Sequence, residues 1–410
     1  MNLTYYKIRF TLISPLAVGS GANCNTDKDV TVDSNGNPFI PATAIAGVLR
    51  SYIKNSFPEK ENEIFGSLET ESDSKVRFYD AICNSEKNSF FITSRDCVHL
   101  ADKVAVNKEK FNMEAVETGA GFECFVELLC EDFAPYLEAA LAALHSGRIA
   151  LGSKTSRGYG RVNLSIRKLR FTSAKEWLDF DMFDDSHWEG TDEISVAENI
   201  TSYDFSICLR PVGGISIREY TTEILQNGGY SPDYKSMYLH SVKENGETVA
   251  VIPGTSWAGA FRSRFSEVAG EELTEKIFGF VRKNTKENQK SKIRFSESKL
   301  SGGTYKILSR NAINRFSGAT KDGALYTEKT YYYGKTKLEI SFSELPQKEA
   351  LFALGVCLAD LHNGFLAVGG LSSVGRGLFE IDSIEFNKKT LSAENIINGN
   401  IEGFVGEVTV

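Results

Sequence analysis

The feature that most constrains this chain is an internal repeat. Residues 144–166, LHSGRIALGSKTSRGYGRVNLSI, are echoed at 361–382 by LHNGFLAVGGLSSVGRGLFEID. Gly147, Gly152, Gly158 and Gly160 align with Gly364, Gly369, Gly375 and Gly377, each pair 217 residues apart. A register kept across half of a 410-residue chain points to two copies of one structural unit. Each copy follows an apolar helical pattern and precedes an alternating, strand-like run, so the order is helix, glycine-rich loop, strand. Dinucleotide and P-loop fingerprints run strand, loop, helix, which argues against a nucleotide-cofactor role for GSKTSRGYG. A loop of Gly and Ser still lets backbone N–H groups come close to phosphates. Lys154, Arg157 and Arg161 in the first copy, and Arg376 in the second, would add charge beside those donors. The same glycines also suit a tight loop packed against a sheet.

Two further pairings support the repeat. Pro41, Gly47 and Arg50 in IPATAIAGVLRS answer Pro253, Gly259 and Arg262 in IPGTSWAGAFRS at an offset of 212. Pro41 and Thr43 fit a helix start, and Ile45, Leu49 and Ile53 recur at helical spacing. The small residues would let another chain approach the helix, and the repeated arginine is either solvated or functional. Between the helices, SRDCVHLADK and SRNAINRFSGATKDGALY each run from polar chain into an alternating strand, with Arg95 matching Arg310. Long polar connections of this sort are expected to be binding arms. Matching Pro15 to Pro211, 196 residues on, puts 16 extra residues between first strand and first helix in the second half. The acidic, aperiodic stretch 172–200 is expected to be a linker, with domains at 1–171 and 201–385 and a tail at 386–410. Residues 282–294, RKNTKENQKSKIR, form the densest basic run, which suits a solvated loop or a nucleic-acid contact.

Each half therefore reads β, loop, α, long β-rich insertion, α, glycine loop, β. This α+β order predicts two tandem ferredoxin-like (RRM-like) domains, each with two helices on one face of an antiparallel sheet and the other face open. Open faces of this kind often bind single-stranded RNA. A net charge of −8 argues against a freestanding nonspecific nucleic-acid binder, so any such surface must be a local patch. The seven cysteines are scattered and never spaced as CxxC, which argues against zinc and disulfide frameworks and for buried free thiols. With no signal-like start and no long apolar run, a cytoplasmic protein without membrane contact is expected.

Taken together, the order of strand, aspartate-bearing loop, IPATAIAGVLRS or IPGTSWAGAFRS, the SR-containing arms, and GSKTSRGYGRV or GGLSSVGRGLF resembles the RAMP proteins of CRISPR-Cas systems. In particular it resembles the Cas-seven backbone subunit of type III effectors, present twice in tandem. The resemblance implies RRM-like palms with thumb-like arms at 94–120 and 309–334, guide (CRISPR) RNA, complementary target RNA and the other effector subunits as partners, and a scaffold that holds phosphates and leaves bases free. Carried over, the RNA-binding residues are Thr43, Arg50, Arg95, Gly152, Ser153, Lys154, Arg157, Gly158, Gly160 and Arg161 in the first half. In the second they are Thr255, Ser256, Arg262, Arg310, Gly370, Ser372, Ser373, Gly375 and Arg376.

The resemblance also implies cleavage of target RNA by a loop aspartate assisted by a divalent cation, Mg²⁺. Asp27, fourteen residues before Pro41, matches that position and is the expected metal ligand, with Asp29 beside it; Asp233 is the displaced candidate in the second half. Other readings stay open. The chain could be a non-catalytic member of such a complex, or a guide-processing endonuclease using His145 or His362, which also suit helix ends. A metal protein built on Asp27, Asp29 and Asp33 lacks the pattern of a calcium loop.

Overall fold

The computed structural model describes residues 3–21, 26–67, 71–83, 89–101, 104–191, 193–195, 203–219, 237–238, 240–242, 246–282 and 287–409. The chain forms two compact units: Met1–Ser94, Phe111–Ser202 and Lys243–Gly246 make one, and Arg95–Lys110, Tyr203–Val242 and Glu247–Val410 the other.

In the first half the elements are β1 (Leu3–Leu12), α1 (Ala42–Ser56), a hairpin of β2 (Ile92–Ala101) and β3 (Val104–Val116), β4 (Gly121–Leu128), α2 (Ala134–His145) and β5 (Val162–Phe171). Short strands Val76–Phe78 and Ala81–Ile82 pair beyond β4, so the sheet runs β5, β1, β4, short strands, all antiparallel. That is the strand order of a split β-α-β sheet. Alternation along β1 sends Tyr6, Ile8 and Phe10 to the side where Ile45, Leu49 and Ile53 of α1 and Leu137, Leu141 and Leu144 of α2 complete the core.

The second half repeats this plan with β6 (Tyr203–Val212), α3 (Gly254–Phe278), the hairpin β7 (Thr304–Ile313) and β8 (Thr320–Tyr332), β9 (Lys335–Phe342), α4 (Lys348–His362) and β10 (Leu378–Phe386). Here the order is β10, β6, β9, then Ile293–Phe295 and Ser298–Ser301. Phe205, Ile207 and Leu209 pack with Trp257, Phe261 and Phe265 of α3 and Leu351, Leu354 and Leu358 of α4. The C-terminal helix Ile401–Thr409 lays Ile401 and Phe404 over Gly355 of α4, where a side chain would collide. The expected fold and the β-rich insertions are as read from the sequence.

The expected open faces are not alike. Residues after β5, including the short helix Ala174–Leu178, fold onto the outer side of the first sheet. Trp188 is fully buried there with Tyr5, Phe125 and Phe171, and Phe180 stands 5.0 Å from the Tyr5 ring and 4.8 Å from that of Phe171. The Trp177 indole donates to the Tyr5 hydroxyl at 2.8 Å, which donates to Glu127 at 3.0 Å. Along β6 and β9 the outward residues are mostly polar, among them Ser206, Arg210, Lys337 and Glu339, with Cys208 and Val212 on the same side of β6. The second face thus offers no aromatic platform among these strand residues.

The glycine loops coincide residue for residue. Lys154 and Leu371 both adopt left-handed φ of 59°, and single turns Thr155–Arg157 and Ser372–Val374 follow. Gly160 donates its N–H to the Pro15 carbonyl at 2.8 Å and Gly377 to that of Gly214 at 2.9 Å. Pro15 therefore corresponds to Gly214, at an offset of 199, and not to Pro211. Against 212 at the helix starts, the second half carries 13 extra residues there, not 16; matching prolines by type slipped the register by three.

Arg95, on β2, lies in the second unit, buried at 3% exposure against the Glu297 carboxylate and 3.1 Å from the Ser241 hydroxyl. Among the cysteines, Cys83, Cys124 and Cys357 are buried free thiols, and burial pushes the last two up to about 12.

Three outcomes follow from this packing. A Cβ on Gly160 would sit 1.9 Å from the Leu151 oxygen, and on Gly377 2.1 Å from that of Val368, both at positive φ. Either Gly→Ala change is expected to cost about 2 kcal/mol or more, read in urea unfolding. Glu297→Ala removes the carboxylate that faces the buried Arg95 charge, and should cost about 3–5 kcal/mol, with Glu297→Gln intermediate. Because Cys124 and Cys357 hold their protons above the unfolded value of 9.0, the unfolded chain deprotonates first. Stability should fall as pH rises from 9 toward 12, by about 1.4 kcal/mol per pH unit for each thiol; an alanine at each position should remove that part of the slope.

Candidate nucleic-acid interface

The loop after β1 brings its three aspartates to different ends. Asp29 is buried, and its carboxylate accepts from the Thr26 N–H at 2.7 Å and the Thr26 hydroxyl at 2.9 Å. It closes the turn and does not face outward as Asp27 does. Asp33 folds back on its own turn, where the Asn37 N–H above all holds its carboxyl below the usual range. Asp27 alone is exposed. Its N–H donates to the Asn112 side-chain oxygen at 2.8 Å, and its carboxylate accepts the Asn112 N–H at 2.9 Å. This reciprocal pair fixes Asp27 at the foot of β3. Asp233 lies outside the described residues.

Cations gather beside Asp27. The Lys28 ammonium stands 5.4 Å from the centre of the Phe111 ring, and that of Lys154, from the glycine loop, 5.1 Å from the same ring. Three segments distant in sequence thus meet: the aspartate loop, the foot of the hairpin and the glycine loop. Lys28, Phe111 and Asn112 were not foreseen; the only signal was that Phe111 and Asn112 fall where the arm turns back toward the sheet.

Much of the expected backbone contact is already in use. Ser153 donates its N–H to the Ala17 carbonyl at 2.8 Å and Gly370 to that of Ser216 at 2.9 Å. Gly158 and Gly375 donate to Thr155 and Ser372, and Gly160 and Gly377 to the first strands' exits. Gly158 and Gly160 are buried, and Gly152 stands within 2.5 Å of the Ala17 oxygen when a Cβ is placed on it. These glycines shape the loop; exposed Lys154 neighbours, Arg157 above all, supply what a phosphate would meet. Arg161 is half-buried, with its N–H on the Ser14 hydroxyl at 2.9 Å. Ser372 and Ser373 are exposed.

The duplicated arginines reach across to the helical segment that follows each of them. Arg50 bonds Glu61 at 2.7 Å and reaches the Gly66 carbonyl at 3.4 Å; Arg262 donates to the Gly279 carbonyl at 2.9 Å. Both glycines end the helical segment that follows, so duplication here preserves a structural contact. Gly47 and Gly259, by contrast, face open space although an internal glycine weakens a helix by about 1 kcal/mol relative to Ala. Thr43 is exposed on the first turn of α1, Thr255 and Ser256 half-buried on that of α3, and the Asp80 carboxylate takes the Ala42 N–H at 2.7 Å.

Arg95, expected among the RNA contacts, is buried against Glu297. Arg376 is buried as well, at 3.0 Å from the Glu328 carboxylate and 5.0 Å from the Tyr332 ring centre, and Arg310 approaches the same carboxylate at 3.3 Å. The recurring histidines accept strand amides: Leu164 donates to His145 Nδ1 and Ile381 to His362 Nδ1, each at 3.0 Å. These identical contacts give both rings the same structural task.

Among the described residues no three His, Cys, Asp or Glu side chains converge as a metal cage. Asp27 offers a single exposed carboxylate, and Mg²⁺ sites commonly take one or two such groups. No helix among the described residues is long and apolar enough to cross a membrane.

Comparison with known proteins agrees with the duplicated architecture. The chain is 28% identical over 151 residues to the CRISPR system CMR subunit Cmr6 of Saccharolobus solfataricus, over 34% of this chain and 49% of that protein. It therefore spans about half the length of the curated relative it matches. A chain in the structure of the type III-B Cmr-beta complex bound to cognate target RNA aligns with a TM-score of 0.36 and 21% identity, covering 41% of this chain and 61% of that one. The sequence profile of the RAMP superfamily matches residues 9–163 and again 238–380, so the chain belongs to the RAMP superfamily and carries its domain twice.

Proposed function

We propose that this protein is a backbone subunit of a type III CRISPR-Cas effector, lying along a guide RNA with other subunits of the complex and cutting complementary target RNA beside Asp27. The tandem RAMP domains and the likeness to a CMR subunit support the assignment to such a complex. The observation that carries the cleavage reading is Asp27, exposed yet held by Asn112 beside the lysine-flanked Phe111 ring.

The chemistry asked of the chain is modest. The Asp27 carboxylate takes the proton of a target 2′-hydroxyl, whose oxygen forms a bond to the adjacent phosphorus while the bond to the 5′-oxygen breaks. A 2′,3′-cyclic phosphate and a 5′-hydroxyl result, the leaving oxygen gaining its proton from water. Lys28 and Lys154 oppose the negative charge that develops on the phosphate oxygens. A bound Mg²⁺ would supply further charge neutralisation at those oxygens. The Phe111 ring offers a surface for a displaced base.

Since the Asp27 carboxylate also accepts the Asn112 N–H, Asp27→Asn is the informative variant: it keeps an acceptor and removes the charge. In the assembled complex with guide RNA, Mg²⁺ and end-labelled target, it should lower the cleavage rate by about 100-fold or more at unchanged target binding. Wild-type cleavage by Asp27→Asn would leave the non-catalytic scaffold as the better reading.

A further inference from the structure

The two glycine loops share one backbone and differ in chemistry. At equivalent positions, 217 residues apart, Lys154 is answered by Leu371, Arg157 by Val374, and Arg148, just before the loop, by Phe365. Lys154 and Leu371 have the same φ of 59°, and the loop amides have matching acceptors in both copies. Arg157 is exposed, and no carboxylate among the described residues forms an ion pair with it. Val374 is half-exposed, at 50%, and Phe365 exposed at 79%. The one cation of the second loop, Arg376, replaces the buried Tyr159 and turns inward onto Glu328.

We infer that anion recognition by this chain is one-sided: the loop at 152–161 grips a phosphodiester backbone through Lys154 and Arg157, while the loop at 369–378 contributes no charge to it. The inference deepens the RNA-binding reading above and rests on it. With the backbone amides engaged alike in both copies, side chains alone decide the difference. The second loop's cation, Arg376, is already committed to the buried Glu328 carboxylate, which weakens its attraction for a polyanion. Arg376 acts instead as a positioning residue that ties its loop to β8.

The test exchanges the two chemistries on the full-length protein. The probe is an end-labelled single-stranded oligo(U) RNA, titrated at several salt concentrations. The exchange variants K154L/R157V and L371K/V374R install the residue found at the equivalent position, Lys154 and Leu371 sharing one φ, and thermal melting checks the fold of every variant. K154L/R157V should weaken binding roughly 25-fold at 0.1 M salt and lower the log–log salt slope by about 1.4, the share of two single-strand phosphate contacts. The milder K154Q/R157Q should do the same. L371K/V374R should tighten binding and steepen the slope, and L371A/V374A should change neither. A folded K154Q/R157Q protein that binds as wild type, or an equal loss in L371A/V374A, overturns the inference. Absence of salt-dependent binding by the wild type would instead strike the RNA-binding reading, and this inference with it.

Discussion

In each half one backbone amide, that of Gly160 or Gly377, donates to the carbonyl at the exit of the first strand, at 2.8 and 2.9 Å. On the other side the same glycine presses against the carbonyl of Leu151 or Val368, so closely that no Cβ would fit. The bond ties the start of β5 or β10 to the end of β1 or β6, next to which it pairs in the sheet. It also dictates the left-handed residues that bracket the single turn in each loop. From this clasp follow the placement of the helix-end histidines and the direction of the loop side chains. Polar satisfaction of a tight loop against a sheet leaves few alternatives once the amides are committed.

Around that shared frame the halves have diverged wherever the frame is indifferent. One sheet buries its outer face under Trp188 and Phe180, and the other leaves a row of charged and hydroxyl side chains. In one loop cations stand outward; in the other the cation is turned in and hydrocarbon is outside. Sites that hold the backbone keep their residue types, such as Arg50 and Arg262 on the glycine carbonyls, whereas solvent-facing positions are free to change.

The fold was legible because glycines at forced φ and apolar residues at periods of two and 3.6 are direct imprints of geometry. The site was legible in part. Asp27 stood out by its place in the loop, but nothing local distinguishes it from Asp29, whose carboxylate is engaged by Thr26 three residues earlier. Arg50, Arg95 and Arg376 look alike in a sequence; their roles depend on the carbonyl of Gly66, on Glu297 and on Glu328, partners that only folding brings near. Asn112 was missed for the same reason, lying 85 residues from the aspartate it holds, and Phe111 beside it likewise. Pro15 misled because a shared residue type was taken for a shared position.

The pairing of Arg95 with Glu297 spans 202 residues. A ribosome adding about 5–20 residues per second emits the strand that bears Arg95 some 10–40 s before its carboxylate partner exists. During that interval Arg95 is without its carboxylate partner. The order of synthesis thus delays the final pairing of this arm until after both helices of the first half have been made.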